Sequence, residues 1–346
     1  MRYLVTGGLG VIGSAAVRHL LDAGHEVVVI DAAEQPRNEW VARRLEAHPG
    51  ADRLNIYPQR LETLELAPLV EQAEFVIHAA AHTGIPHSAT DPSDDWASNV
   101  DATRELLEAL RHCPRRVPTV IMSSVKPYQL THDPAAVSWM PGSEWEGIDE
   151  SAPLVPDEPY AASKAAQSML AMAYARSYAL PITTLRFSNL FGPGPCHGPR
   201  HGWLTWFCIS AATGRPIEVQ GGGEQARDML YADDIVAALL AALHGLGQRG
   251  GMDGASLAGR VFNVGGGKKN VVTVRQVAKH LQSATGVRII EAPGRQHEDR
   301  VFITDHRQFS SATGWYPRVL VFDGARRVLN WALENAEELR ELYRGV

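Results

Sequence analysis

Ser124, Tyr160 and Lys164 have the residue types and spacing to move a proton on and off a hydroxyl group. Tyr160 and Lys164 are four apart in an alanine-rich stretch, which stacks both side chains on one helix face. A tyrosine with an ordinary pKa of about 10 is a poor base at neutral pH. Nearby cations favour the phenolate, and the Lys164 ammonium with an oxidised nicotinamide would supply two of them. Tyr160 could then remove a hydroxyl proton as the carbinol hydride moves to the nicotinamide. An apolar run ending in Ser123-Ser124 precedes this helix, and a serine at the carboxyl end of a strand can share the substrate hydroxyl with such a tyrosine. One Tyr-x-x-x-Lys pair proves little alone; this context gives it weight.

A second constellation stands at the start of the chain. Thr6-Gly7-Gly8-Leu9-Gly10-Val11-Ile12-Gly13 follows the first apolar run and opens a helix. Gly7 would allow a tight turn, Gly10 a close backbone approach to a pyrophosphate, and Gly13 close packing of the helix on the sheet. The helix N-terminus, at Val11 and Ile12, would turn free N–H groups toward the phosphates. Asp31 lies eighteen residues beyond Gly13, at the end of the second apolar run, where it could accept hydrogen bonds from an adenosine ribose. The same carboxylate would repel a 2′-phosphate, so the expected cofactor is NAD and not NADP.

Positioning these groups requires alternating strands and helices. Apolar runs predict strands at Tyr3–Thr6, Val27–Asp31, Phe75–His78, Val117–Ser123 and Ile182–Phe187. Between them, helical spacing predicts Ile12–Asp22, Asn38–Ala47, Asp94–His112 and Tyr160–Tyr178. The pattern is that of an α/β fold with a doubly wound parallel sheet (Rossmann) and a smaller C-terminal substrate-binding domain. Residues 1–186, with about 227–262, form the expected dinucleotide domain, and residues 187–226 and 263–346 the expected substrate domain. The stretch Gln129–Pro156, with several Pro, Gly and acidic residues, reads as a long surface loop.

Composition excludes other classes. The 346 residues carry 33 basic and 39 acidic side chains, a formal net charge of −6, which disfavours a nucleic-acid partner. The longest strictly apolar run of the C-terminal half, Ile235 to Leu243, falls far short of a membrane span of about 20 residues. Residues Met1 to Gly13 show no charged leader with a cleavage site, and the three cysteines are too scattered for a disulfide framework, so a cytoplasmic location is expected. Cys196, His197, His201 and Cys208 do not match the usual zinc pairings, and no metal is expected. Trp203 and Trp206, three apart, read as packing residues sooner than as a base-stacking platform.

Further stretches carry a family resemblance. They are His78-Ala79-Ala80-Ala81, Asn99, Arg186-Phe187-Ser188-Asn189, Gly192-Pro193-Gly194, Arg227-Asp228 before Tyr231-Ala232-Asp233-Asp234, and Phe262-Asn263-Val264-Gly265-Gly266-Gly267. With the motifs above, the chain resembles the extended short-chain dehydrogenase/reductase superfamily, the nucleotide-sugar epimerases and dehydratases, over essentially its full length. The resemblance implies tightly held NAD lined by Leu61, Ala79, Ala80, Ala81 and Asn99, with Lys164 on the nicotinamide ribose. It also implies that Asn189, Arg227 and Arg295 hold the nucleotide diphosphate, and that the helices around Tyr160 and Thr103–Leu110 form a homodimer. Arg60 departs from the pattern, standing where the superfamily generally has an aspartate for the adenine.

Ser123-Ser124-Val125-Lys126-Pro127-Tyr128, Gly202–Cys208 and Arg300–Asp305 resemble the CDP-paratose 2-epimerase (tyvelose epimerase) group more than the 4-epimerases. In that group a sugar hydroxyl at carbon 2 is oxidised, the ketone presents its other face, and the hydride returns. Val125, Pro127 and Gln129 replace residues usual there. Dehydratases need a carboxylic acid beside the catalytic hydroxyl, and Val125 and Lys126 offer none. His82, Thr83 and Lys126 are candidates to meet the sugar. A UDP-sugar 4-epimerase would use the same machinery in another pose. A non-catalytic NAD-binding sensor or scaffold could share the fold, although Ser124, Tyr160 and Lys164 are all present.

Overall fold

Runs such as Val27-Val28-Val29-Ile30 have no polar face to offer water, so as strands they need cover on both sides. The computed structural model describes residues 1–82, 91–129, 147–196, 198, 202–247, 256–294 and 300–345. Its strands are β1 (Arg2–Thr6), β2 (Glu26–Ile30), β3 (Leu54–Tyr57), β4 (Phe75–His78), β5 (Thr119–Ser124), β6 (Ile182–Phe187), β7 (Asn189–Phe191), β8 (Ile217–Gln220), β9 (Ala226–Tyr231), β10 (Val261–Val264), β11 (Val271–Thr273), β12 (Ile289–Ala292) and β13 (Val301–Phe302). Seven of them form one parallel sheet in the order β10-β6-β5-β4-β1-β2-β3. The short strand β3 escaped the sequence reading because Leu54-Asn55-Ile56-Tyr57 lacks a sustained apolar run.

The helices are α1 (Val11–Asp22), α2 (Pro36–Glu46), α3 (Leu66–Gln72), α4 (Pro92–Trp96), α5 (Ala102–His112), α6 (Pro159–Ser177), α7 (Trp203–Thr213), α8 (Ala232–Gly247), α9 (Val274–Thr285), α10 (Arg307–Thr313), α11 (Val321–Glu334) and α12 (Ala336–Leu342). Where one helix was expected over Asp94–His112, a π-helical turn at Ala97–Asp101 separates α4 from α5. Alternation along β1 shows how the sheet is covered. Tyr3 and Val5 enter one cluster with Leu20, Trp40, Ile235 and Leu239, whereas Leu4 enters another with Val70, Leu106, Leu107 and Ala171. Helices α1, α2 and α8 thus cover one face, and α3, α5 and α6 the other.

A third cluster belongs to the smaller sheets, built around Phe191, Ile209, Val219, Leu281 and Val328. There β11-β9-β13 form a sheet with β7 on β9, and β12 pairs with β8. The stretch expected as a surface loop is stitched down where it is described. Ile148 bridges to Thr304, Leu154 bridges to Tyr128, and Ile148 is buried. Among the described residues, no helix is long and apolar enough to cross a membrane.

One buried imidazole ties the site's elements together beneath the sheet edge. His78 is 0 % exposed, with Nδ1 2.7 Å from Thr6 Oγ1 and Nε2 2.8 Å from Thr103 Oγ1. Thr103 donates to the Asn99 carbonyl (2.8 Å), so it must accept from His78 Nε2–H. Thr6 accepts from Ala80 N–H (3.2 Å) and is left to donate to Nδ1. The network therefore holds a neutral ring, and burial lowers its pKa from 6.5 to about 3. Below pH 6.5 the unfolded chain takes up a proton that the folded chain refuses, so stability falls as pH drops toward 3. Between pH 7 and 5 the native protein should lose about 2 kcal/mol more than His78→Asn in urea unfolding. Equal losses would mean that the ring is not held neutral.

Candidate active site

Gly7, Asp31, Ala79 and Ser124 all stand at the carboxyl edge of the parallel sheet, at or just beyond β1, β2, β4 and β5. Ligands of open α/β sheets bind along this edge. Gly7 has φ +70°, and a Cβ there would lie 2.5 Å from Ala80 N, so the exit of β4 is pressed against the turn. At Gly13 a Cβ would lie 2.0 Å from Gly7 O. Its close approach is to the turn itself, not to the body of the sheet as expected. At Gly10 a Cβ would meet only Gly7 O, at 3.3 Å, which leaves an open cradle. Helix α1 begins there without a side-chain cap or an acidic first turn, so the N–H groups of Val11, Ile12 and Gly13 suit an anion.

Asp31 accepts from Leu9 N–H (2.9 Å), Ala33 N–H (3.1 Å) and Asn38 Nδ2 (3.4 Å). Burial pushes its pKa up, while these donors and the Arg37 charge oppose the shift. The carboxylate has about four acceptor positions, which leaves room to add a ribose hydroxyl. Leu61 is buried in the core with Ile30, while Arg60 beside it pairs with Glu34 (2.9 Å), Glu62 (2.8 Å) and Asp94 (3.3 Å). Those carboxylates push the guanidinium pKa up. The open cradle, uncapped helix and ribose-side carboxylate fit a dinucleotide.

In the catalytic half, Ser124 Oγ accepts from Lys126 N–H at 3.2 Å and hydrogen-bonds the Tyr160 hydroxyl. Burial of the phenol pushes its pKa up to about 12, helped by the charges of Glu158 and Asp95 and opposed by the Ser124 bond. Lys164 is 3 % exposed, donates from Nζ to Met122 O at 3.0 Å, and is brought down by burial to about 7. The sequence reading made Lys164 a cation that lowers Tyr160. Here desolvation is the largest influence on the phenol, and the amine is turned to a backbone carbonyl.

The turn from Tyr160 to Lys164 is pinned on both sides. Ser163 Oγ donates to Tyr160 O (2.8 Å) and Ser123 Oγ to Lys164 O (3.1 Å). Ser123 and Ser124 thus divide the work, one anchoring α6 and the other meeting the phenol. Asn99, expected to line the cofactor, is fully buried and acts through its neighbours. Its Oδ1 accepts from His82 N–H (2.9 Å), and its Nδ2 reaches His82 O (3.1 Å) and Ser163 Oγ (2.9 Å). These bonds fix the exit of β4, with the half-buried Ala79, Ala80 and Ala81, against the Tyr160 turn. His82 Nδ1 lies 2.7 Å from Asp95 Oδ1, and Asp95 is 1 % exposed.

Asn189 pairs with Met229 in parallel register, which puts it on the same sheet face as Arg227, two residues earlier on β9. Both are half-buried, as is Lys126. Arg295, Thr83, His197 and His201 lie outside the described residues. Tyr128 faces inward, donating to Asn263 Oδ1 (2.9 Å) and accepting from Arg186 Nη1 (2.7 Å). Val125 packs with Tyr128, Ile148 and Phe302. Trp203 and Trp206 pack edge-on against Phe207 and Tyr343.

The sequence reading did not single out Asp95, Ser163 or the structural role of His78. Polar residues ending the apolar runs at Thr6 and His78 were a usable signal; the pairing of Asp95 with His82 had none.

Residues 3–265 match the family described as the NAD dependent epimerase/dehydratase family. The CDP-paratose 2-epimerase of Salmonella typhi is 26% identical, over 96% of this chain and 99% of that protein. Two solved structures share the fold and are each 26% identical to this chain. One is a dTDP-glucose 4,6-dehydratase double mutant of Streptomyces venezuelae with NAD bound, with TM-score 0.82 over 99% of this chain and 100% of that one. The other is a UDP-glucose 4-epimerase of Thermotoga maritima, with TM-score 0.78 over 97% and 99%.

The desolvated phenol makes a direct spectroscopic prediction. In protein stripped of bound nucleotide, the 295 nm difference between the native chain and Tyr160→Phe should show no phenolate up to pH 10, because the pKa lies near 12. A phenolate signal from Tyr160 at pH 8 would contradict the burial argument.

Proposed function

The chain belongs to the NAD dependent epimerase/dehydratase family, and from that premise we propose that it is a nucleotide-sugar epimerase inverting a carbinol centre. The centre is carbon 2 of a CDP-linked hexose, oxidised transiently to a keto-sugar and then reduced on its other face. The observation that carries the choice of epimerisation over dehydration is the pair following Ser124. Val125 is buried in an apolar cluster and Lys126 carries no carboxyl group, so neither offers the carboxylic acid that expulsion of a hydroxyl needs. The choice of carbon 2 is supported by the likeness to the CDP-paratose 2-epimerase.

NAD, when bound, accepts and returns the hydride; the remaining work is proton handling by this chain. Ser124 receives the Lys126 N–H, which leaves its own proton free to orient toward the phenol or the sugar hydroxyl. Tyr160 takes the hydroxyl proton and later gives it back. Its high intrinsic pKa makes it a strong base once ionised, and positive charge close by is what ionises it at neutral pH. Lys164 supplies part of that charge by leaving the Met122 carbonyl for the nicotinamide ribose and the phenol. Asn189, Arg227 and Arg295 take the diphosphate. His82 and Lys126 contact the sugar, with Asp95 holding the His82 ring.

The two-domain division stated above follows the same reading, supported by the separate apolar clusters of the large and small sheets. So does a homodimer. On the helices expected to pair, Leu106, Leu107, Leu110, Ala161 and Ala165 are in the core, whereas Trp96 and Met169 on α4 and α6 stay 50 % and 61 % exposed. Sedimentation should give twice the 37.7 kDa chain mass, and Met169→Asp should shift it toward the monomer. A monomeric native protein would refute the pairing.

Incubation with CDP- and UDP-hexoses, followed by NMR, tests the reaction. Inversion at carbon 2 of a CDP-sugar is expected; inversion at carbon 4 of a UDP-sugar would point to the 4-epimerase alternative suggested by the Thermotoga structure. Tyr160→Phe should lower kcat by about 10²-fold or more, the usual worth of a general base. An unchanged rate would remove Tyr160 from the chemistry. Binding of NAD with no turnover of any nucleotide sugar would indicate a sensor or scaffold.

A further inference from the structure

We propose that the C-terminal segment is a clasp that controls how long the dinucleotide stays bound, with Tyr343 and Arg37 as its positioning residues. The proposal rests on NAD as the cofactor. Tyr343 is 5 % exposed, donates its hydroxyl to Cys196 O at 2.5 Å, and packs edge-on against Trp206. Its own carbonyl is taken by Arg215. Cys196 ends the stretch that contains Gly194, where a Cβ would lie 3.6 Å from Val11 Cγ1 at the start of α1. On the other side, the half-buried Arg37 guanidinium lies within electrostatic reach of Tyr343, Cys196 and Asp31. Asp31 in turn accepts from Leu9 N–H in the glycine-rich turn.

Packing and hydrogen bonds thus join Val11 to Gly194, Cys196 to Tyr343 and Asp31 to the glycine-rich turn, and the Arg37 charge lies between Tyr343 and Asp31. Both ends of this series are groups suited to the pyrophosphate and the ribose, while its middle lies near the end of the chain. A second contact reinforces it on the outer side of α2. Trp40 Nε1 donates to Glu338 Oε2 at 2.6 Å, the Arg44 guanidinium sits 3.8 Å over the Trp40 ring, and Trp331 meets that ring edge-on. Arg44 also pairs with Glu338 at 3.1 Å and bonds Asn335. Release of a dinucleotide held between Val11 and Asp31 requires α2 and the Gly194 stretch to part, and the clasp opposes that parting. The chemistry gives retention a purpose: a cofactor lost between the two half-reactions would leave an oxidised sugar stranded.

The full-length protein loaded with radiolabelled NAD and chased with excess unlabelled NAD provides the test. Tyr343→Phe removes one hydrogen bond of the clasp, and Trp40→Phe removes another together with part of the ring beneath Arg44; each should speed release about fivefold or more, and the double variant about 25-fold or more. Arg326→Gln breaks only the exposed Arg326–Asp323 pair on α11 and should release NAD at the native rate. Release from the double variant within twofold of native, or equal acceleration by Arg326→Gln, would overturn the proposal. Should the double variant not fold, Tyr343→Phe, which loses a single oxygen, decides by the same twofold criterion. A native protein that loses its label on a desalting column would overturn the resident-cofactor premise, a failure distinct from a clasp without effect.

Discussion

Desolvation beneath the carboxyl edge of the sheet is the constraint on which this site depends. It brings Lys164 toward neutrality, raises the Tyr160 phenol to about 12 and keeps His78 uncharged. Each of those groups would be an ordinary titratable side chain in water. Burial leaves the phenol un-ionised at neutral pH unless positive charge is brought to it. The hydrogen bonds around them follow from the same burial, since every polar group placed there needs a partner. Ser123, Ser163, Asn99 and Thr103 provide those partners, and in doing so they fix the backbone turn that carries the phenol.

The buried joint between the large and small sheets obeys the same rule. Asp228 is fully buried next to Arg227, accepts from Gly267 N–H and Thr304 Oγ1, and is raised to about 7 by burial. Gly265 must lack a side chain because a Cβ would lie 2.3 Å from that carboxylate. Arg186, Tyr128 and Asn263 form a second buried knot, tied to the Glu150 segment through Asn263 N–H. Strand β9, which carries Arg227, and the loop that follows Ser124 are thus each anchored in polar cores and not merely laid over them.

What was legible in the sequence was whatever depends on local pattern. The glycine-rich turn, Asp31, the Tyr160 and Lys164 spacing and most strands of the parallel sheet could be read because each is dictated by neighbours a few residues away. Groups whose meaning lies across the fold were not legible: Asp95 matters through His82, Arg37 through Tyr343, and Asn99 through two loops at once. Environment was also invisible. Lys164 could be placed beside Tyr160 by spacing, but spacing says nothing of the solvent removed from both.

The π-helical turn at Ala97–Asp101 sets the winding of the segment that joins α4 to α5. Asp95, Asn99 and Thr103 are spaced by four residues and all reach inward, to the His82 ring, the His82 backbone and His78. In an α-helix each step of four overshoots a full turn by about 40°, so three such residues would fan out along the helix. The looser π turn absorbs that excess and keeps them nearly in line. The segment therefore works as a phase corrector between two helices. Its winding thus carries a constraint on length, because Asp95, Asn99 and Thr103 meet His82 and His78 from one side only in this count of residues.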